Sequence, residues 1–285
     1  MEILKLAIQK SGRLSEKSLA LIRECGIKFN SSKLQLKAQS ENFPMEILYL
    51  RDDDIPECVA DGVADVGIVG QNVADEKQKQ VNTIEELGFS KCRLSIAIPR
   101  DIPYESINQL SGKKIATTYP NLLQSFLDEK KIDAEIHEIS GSVEIAPNIG
   151  LADAICDIVS TGSTLLSNGL KEAESIYKSQ AIMIGGNTIN EEKQSLLDEF
   201  LFRIRSVNAA RNNKYILMNV PNDSIDKINE ILPGIKSPTI MPLAQKGWSS
   251  LHSVVNENNF WKIIDKLKKA GSEGILVIPI EKMIL

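Results

Sequence analysis

The chain has 285 residues, is 42% hydrophobic and 25% charged, and carries a net charge of −5 with a pI near 5.3. This composition suits a globular protein with real cores and disfavours a general nucleic-acid or membrane-surface binder, which would be basic. Aromatics at 5% leave little for stacking on single-stranded bases, and four scattered cysteines and two histidines (His137 and His252) leave little for a disulfide framework or a multi-histidine metal centre. The apolar stretch at the N-terminus is short and is broken by Lys5 and Lys10, unlike a secretion signal. No apolar run reaches the roughly 18 residues of a membrane span. The expectation is a soluble cytoplasmic protein with reduced thiols, in two domains or three small ones.

In chain order, ILKLAI (3–8) reads as a strand, followed by a polar turn and the helix SEKSLALIRECG. MEILYLR (45–51) is a second strand. It ends in Asp52-Asp53-Asp54 before the helix IPECVADG, and ADVGIVG (64–70) is a buried strand between glycines. RLSIAIPR (93–100), KKIATTYP (113–120), EIHEIS (135–140) and ADAICDIVSTG (152–162) read as strands, with the amphipathic helix NLLQSFLDEKKI among them. The alternation predicts mostly parallel sheets. The echo between DGVADVGIVG and IGLADAICDIVSTG predicts two similar lobes with a cleft between them, ligands binding at the carboxyl ends of strands. QAIMIGGN (180–187) is a return strand and residues 191–214 a long helix. From residue 215 the order strand, helix, strand, strand, helix, strand is that of a ferredoxin-like module. The expected division is 1–92 with 180–210 as the first lobe, 93–179 as the second, and 211–285 as a C-terminal domain.

The richest segment is Cys156-Asp157-Ile158-Val159-Ser160-Thr161-Gly162-Ser163-Thr164. A strand ending in small hydroxyl residues around a glycine offers backbone N–H groups and a close approach to a monophosphate. Asp153 and Asp157 are suited to accept hydrogen bonds from sugar hydroxyls. Together they read as a site for ribose 5-phosphate; a helix cap satisfied within the protein is the alternative. A second group, Lys10, Ser11, Gly12 and Arg13 after the first strand with Arg51 after the second, suits a polyphosphate. A third, Gly67 to Asn72, offers backbone and amides to a base or ribose. No P-loop and no dinucleotide fingerprint is present.

At these residues the chain resembles the ATP phosphoribosyltransferase family. The matching segments are IQKSGRL (8–14), RDDDIP (51–56), ADVGIVGQN (64–72), residues 141–170, KSPTIMPL (236–243) and GILVIPIEKM (274–283). The C-terminal module matches the long, self-regulated form. The resemblance implies an α/β fold of two periplasmic-binding-protein-like lobes plus a ferredoxin-like (βαββαβ) regulatory domain. It implies the reaction of ATP with phosphoribosyl pyrophosphate (PRPP), transfer to N1 of ATP with release of pyrophosphate, a need for Mg2+, dimers and hexamers, and inhibition by histidine, with AMP a further candidate inhibitor. It places Lys10, Arg13 and Arg51 in catalysis; Asp153, Asp157 and Ser160 to Thr164 at PRPP; Ser11, Gly12, Arg13, Asp65 and Gly70 at ATP; and Asn219, Ser237, Thr239 and Gly274 at histidine. The metal ligands stay unassigned. Ser163 stands where the family pattern has alanine, and Asn219 where some members have an acid. A solute-binding protein, a salvage phosphoribosyltransferase acting on a free base, and a purely regulatory module are the rival readings.

Overall fold

The computed structural model describes residues 2–30, 36–186, 189–232 and 237–284. Asn187, Pro233-Gly234 and Lys236, which belong to predicted elements or motifs, lie outside the described residues. The chain divides into two units, residues 1–198 and 199–285, the division falling inside one helix.

The first unit holds two sheets. Its elements are β1 (Leu4–Gln9), α1 (Arg13–Glu24), β2 (Lys37–Gln39), β3 (Met45–Leu50), α2 (Ile55–Ala60), β4 (Val66–Gly70), α3 (Gln71–Lys77), β5 (Asn82–Glu86), β6 (Cys92–Pro99), β7 (Lys114–Thr117), α4 (Pro120–Lys130), β8 (Glu135–Glu138), β9 (Ala154–Val159), α5 (Ser163–Ser167), β10 (Leu170–Ser179) and β11 (Ala181–Gly185), with α6 (Glu191–Arg211) leaving it. One sheet runs β2-β3-β1-β4-β11-β5 and the other β10-β6-β9-β7-β8. In one, β1 lies between β3 and β4, parallel to each, and antiparallel β11 follows β4; in the other, β7 lies between β8 and β9, parallel to each, and antiparallel β6 follows β9. The internal echo in the sequence is therefore a repeat of topology, and a pair of α/β lobes is the observed architecture.

Burial explains the strands. Four of the five residues of β4 are buried because helices cover the sheet. Gly67 is there for close packing, since a Cβ would stand 2.6 Å from Ile55 Cγ2 and 3.1 Å from Val59 Cγ2 of α2. The second lobe packs Ile96, Ile115, Leu123, Leu127 and Cys156 into its own core.

The repeat extends to its polar anchors. Asp65, just before β4, donates its N–H to Lys5 O (3.0 Å) and accepts Lys5 N–H at Oδ2 (2.7 Å). Asp153, just before β9, makes the same two bonds to Lys114, at 2.8 and 2.9 Å. Each aspartate thus pins one strand start to its parallel neighbour, β4 to β1 and β9 to β7, and each meets a lysine, Lys193 at 2.9 Å and Lys113 at 3.4 Å.

The lobes are joined by α3. Glu76, only 5% exposed, accepts the N–H groups of Asn121 and Leu122, both at 2.9 Å, and the Asn121 amide donates to the Glu76 carbonyl at 2.9 Å. A carboxylate of one lobe thereby caps the N-terminus of α4 in the other, satisfying two of its orphan N–H groups. Asn72 donates to the Tyr119 hydroxyl (3.1 Å) and accepts from Ser179 (2.7 Å), and Tyr177 bonds Asp75.

The second unit carries β12 (Asn213–Pro221), α7 (Ile225–Ile231), β13 (Thr239–Pro242), β14 (Trp248–Asn256), α8 (Glu257–Lys269) and β15 (Glu273–Pro279), in the sheet order β13-β14-β12-β15. This is the expected β-α-β-β-α-β module, its core built from Ile216, Met218, Val220, Leu251, Ile228, Phe260 and Leu267. No helix among the described residues is long and apolar enough to cross a membrane.

Replacing Glu76 by alanine removes two charge-assisted bonds from a buried helix end. Chemical denaturation is expected to show a loss of about 1.5–3 kcal/mol; an unchanged midpoint and slope would reject the cap.

Candidate active site in the cleft

The carboxyl end of β9 enters the loop Ser160 to Gly162. Gly162, at φ 80° and ψ 0°, turns the chain into the left-handed region. That turn leaves the N–H groups of Thr161, Gly162, Ser163 and Thr164 without a protein acceptor among the described residues. Thr161 and Ser163 hydroxyls bond each other at 3.0 Å, and Ser167 and the Asn168 amide donate to Thr164 O at 3.2 and 2.9 Å, holding the loop from behind. The loop, Asp157, Glu144 and Arg13 enclose a cavity of about 160 Å3. The following helix α5 has five residues, too few for a large dipole, so the open N–H groups of the loop are the main donors there.

Asp157 points into this cavity. Desolvation, opposed by the bond it accepts from Ile158 N–H (2.7 Å) and assisted by nearby Glu144, raises its pKa to about 6. Beyond the Ile158 N–H, no donor meets this carboxylate among the described residues. Glu144 was not singled out from the sequence, although it lies in the segment of strongest resemblance; its place became visible only when its short helical turn was set against the loop.

A second cavity of about 390 Å3 adjoins the first, sharing Arg13, Ile158 and Ser160, and is lined from the first lobe by Gln9, Lys17, Asp52, Gly70 and Asn72 and from the second by Tyr119. Arg13 opens α1, with Gly12 before it at φ 96° and ψ 179°, a conformation open essentially to glycine. Lys10 and Arg51 follow the paired ends Gln9 and Leu50 of β1 and β3, Lys10 N–H donating to Leu50 O at 2.8 Å. They stand with Ser11 at the strand ends but line neither cavity; of the three cations, Arg13 alone does. Gly70 lines the cleft and must lack a side chain, because a Cβ would lie 2.6 Å from Asn72 Oδ1. The Asn72 amide, read as available to a base, is instead used by Tyr119 and Ser179. Burial, with Asp157 and Asp52 close by, pushes the Tyr119 phenol up, so it stays neutral.

Two predicted site residues are corrected by position. Asp153 and Asp65 precede β9 and β4, whereas the cleft lies beyond the other ends of those strands. The six residues of β9 separate Asp153 from the loop by about 20 Å. Both carboxylates are occupied as strand anchors, on the side of the sheet ends away from the loop.

In the second unit, Asn219, Thr239 and Gly274 occupy the sheet at β12, β13 and β15, with Ser237 just ahead of β13. Asn219 pairs with Ser250 and Thr239 with His252, which places all four on the face opposite the helices. Gly274, at φ 57°, lies beside Asn219, a Cβ there standing 3.5 Å from Nδ2. The same face holds a chain in which Tyr215 OH meets His252 Nδ1 (2.7 Å) and Ser250 meets Nε2 (3.0 Å).

The lobes and the open loop define a class first: two-lobed α/β proteins with a cleft into which a loop turns free backbone N–H groups. Comparison narrows it. A family model described as ATP phosphoribosyltransferase matches residues 51–206, and one described as HisG, C-terminal domain, matches residues 210–282. The ATP phosphoribosyltransferase of Cytophaga hutchinsonii is 60% identical over 282 residues, 99% of each chain, and that of Phocaeicola vulgatus is 57% identical over 283, 99% of this chain and 100% of that one. The solved ATP phosphoribosyl transferase (HisG:HisZ) complex from Thermotoga maritima aligns with 71% of this chain and 99% of its own at 29% identity and a TM-score of 0.60. The chain belongs to the ATP phosphoribosyltransferase family, in its long form, and is a transferase of the first step of histidine biosynthesis.

The raised pKa of Asp157 has a measurable consequence. A carboxyl whose folded pKa lies above its unfolded value of 3.8 lends its contribution below that value and loses it as pH rises through about 6. Asp157→Asn is therefore expected to be more stable than the parent at pH 7.5, with the difference shrinking towards pH 4. Thermal midpoints at the two pH values measure this, and a pH-independent difference would contradict it.

Proposed function

We propose that this chain binds the 5-phosphate of PRPP in the loop Ser160 to Thr164 and transfers the phosphoribosyl group to N1 of ATP, releasing pyrophosphate. The observation that supports it is the row of unpaired N–H groups at Thr161 to Thr164, set beside the buried carboxylate of Asp157. In this reading Asp157 and Glu144 accept the ribose hydroxyls, which donate to carboxylates. Arg13, with Lys10 and Arg51 at the rim and the Ser11-Gly12 turn behind it, faces the diphosphate, and Gly70 lets the nucleotide approach the first lobe.

The chemistry fits the small number of histidines. N1 of adenine already holds a lone pair, so no strong base is required to make the nucleophile. The N1–C1′ bond forms as the C1′–O bond breaks, and the electron pair leaves with pyrophosphate. Charge accumulates on the leaving oxygens and a cationic character on the sugar. Cations at the diphosphate and carboxylates beneath the ribose therefore lower the barrier by electrostatics and by positioning. Among the described residues no group of three or more His, Cys, Asp or Glu side chains forms a metal cage. The pair Asp157 and Glu144 fits a Mg2+ held mainly by substrate oxygens, which would supply further neutralisation of the phosphates.

The two sheets of residues 1–92 with 180–210 and of 93–179 act as catalytic lobes, and 211–285 as the regulatory domain. The open sheet face with Asn219, Ser237, Thr239 and Gly274 takes histidine as feedback inhibitor, with AMP as a second inhibitor at the cleft. Asparagine at 219 accepts a hydrogen bond from the inhibitor's ammonium group but supplies no countercharge, where an acid would add an ion pair. The enzyme works in the cytoplasm as a homo-oligomer, a dimer or hexamer.

The test is adduct formation from PRPP with ATP, run against free adenine as acceptor. ATP-dependent product is expected, and product with adenine alone would favour a salvage enzyme. Gly162→Val places a β-branched residue at a left-handed position and is expected to raise the KM for PRPP strongly. Arg13→Ala should lower kcat/KM roughly 10- to 100-fold, the worth of one charged hydrogen bond. Unchanged kinetics in both would remove the loop and its facing cation from the site.

A further inference from the structure

Beyond Ser160 the cleft continues into a third cavity, of about 490 Å3. Its walls are the two segments that carry the chain between the lobes: Lys91, Cys92 and Arg93 at the start of β6, and Lys178, Ser179 and Gln180 at the end of β10, closed by Gln71 of α3. Arg93 pairs with Lys178 and Cys92 with Ser179 across the ladder, so the segments lie side by side. No carboxylate lines this space, although the chain as a whole is acidic at −5. Glu172 neutralises Arg93 through a two-pronged pair. Lys91 and Lys178, by contrast, have no ion-pair or hydrogen-bond partner among the described residues. The cavity shares Ser160 with the phosphate loop and Lys91 with the central cavity, so a molecule seated in the centre reaches both.

Size and charge separate the two anion sites. The loop cavity, at about 160 Å3, holds one phosphate, whereas 490 Å3 between two free ammonium groups accommodates a string of them. Ammonium groups are point charges without the planar fork that selects one phosphate geometry, which suits a flexible polyphosphate. We propose that this crossover cavity is the seat of the acceptor's triphosphate tail, gripped by Lys91 and Lys178 with the Gln71 amide. The inference rests on the reaction proposed above, in which the donor's own phosphates are claimed by the loop and by Arg13.

The test uses the full chain with Lys91→Gln, Lys178→Gln and the double variant, thermal midpoints serving as a control that these exposed positions leave folding intact. Steady-state kinetics should show the KM for ATP rising roughly tenfold or more for each lysine removed, with the KM for PRPP unchanged. Inorganic tripolyphosphate should inhibit the parent competitively against ATP and lose that effect in the double variant. Calorimetry with tripolyphosphate alone should show binding to the parent and its loss in the double variant. An unchanged KM for ATP, a rise confined to PRPP, or no tripolyphosphate binding to the parent would overturn the proposal. Should the parent form no adduct from ATP and PRPP, the proposed reaction falls, and the calorimetric arm still decides whether the cavity binds polyphosphate.

Discussion

The cleft is organised around four adjacent N–H groups, Thr161 to Thr164, that meet no protein acceptor among the described residues. Backbone donors are ordinarily consumed by the fold, and leaving a run of them open costs free energy unless water or a ligand meets them. The left-handed turn at Gly162 creates the run, and the bonds from Ser167 and Asn168 to the Thr164 carbonyl keep the loop from collapsing onto it. The buried carboxylate of Asp157 is the complementary half: it seeks hydroxyl donors as the N–H groups seek an anion. A phosphorylated sugar supplies both.

The rest of the first unit keeps this loop opposite its partners. Asp65 and Asp153 fix equivalent strand starts in the two lobes, so that β4 and β9 deliver Gly70 and Ser160 to one cleft. Glu76 capping α4 and Asn72 bridging Tyr119 and Ser179 tie the lobes through α3. Gly67 and Gly70 are required by these contacts, one for the approach of α2 and the other for the fold-back of the Asn72 amide. In the second unit an independent core leaves one sheet face free, where exposed Leu276, Ile278 and Met241 surround the Tyr215-His252-Ser250 chain.

Much of this was legible in the sequence. The buried strands β1, β3, β4, β7 and β9 announced themselves by apolar runs, and the C-terminal module by its order of elements. The strands that escaped notice, β2, β5 and β10, all lie at sheet edges. Edge strands face solvent and carry charge, as KEAES in β10 does, so hydrophobic pattern does not mark them. Helix α3 was hidden by its polar start, Gln71-Asn72, of which the Asn72 side chain turns inward to Tyr119 of the other lobe. Asp153 was read as a ligand because its residue type suits a sugar, and Asp65 because the family resemblance places it at ATP. Strand direction, which composition does not encode, sets them at the wrong end. Glu144, Tyr119, Lys91 and Lys178 join the cleft through contacts between segments far apart in the chain, which no local pattern records.

The most direct test follows the amides themselves. In a 15N-labelled sample titrated with ribose 5-phosphate, the Thr161, Gly162, Ser163 and Thr164 resonances should move downfield together and gain protection from solvent exchange, as N–H groups newly bonded to an anion do. Resonances at the loop that stay in place while others in the chain respond would mean that the phosphate is held elsewhere, and the account of the cleft would be wrong.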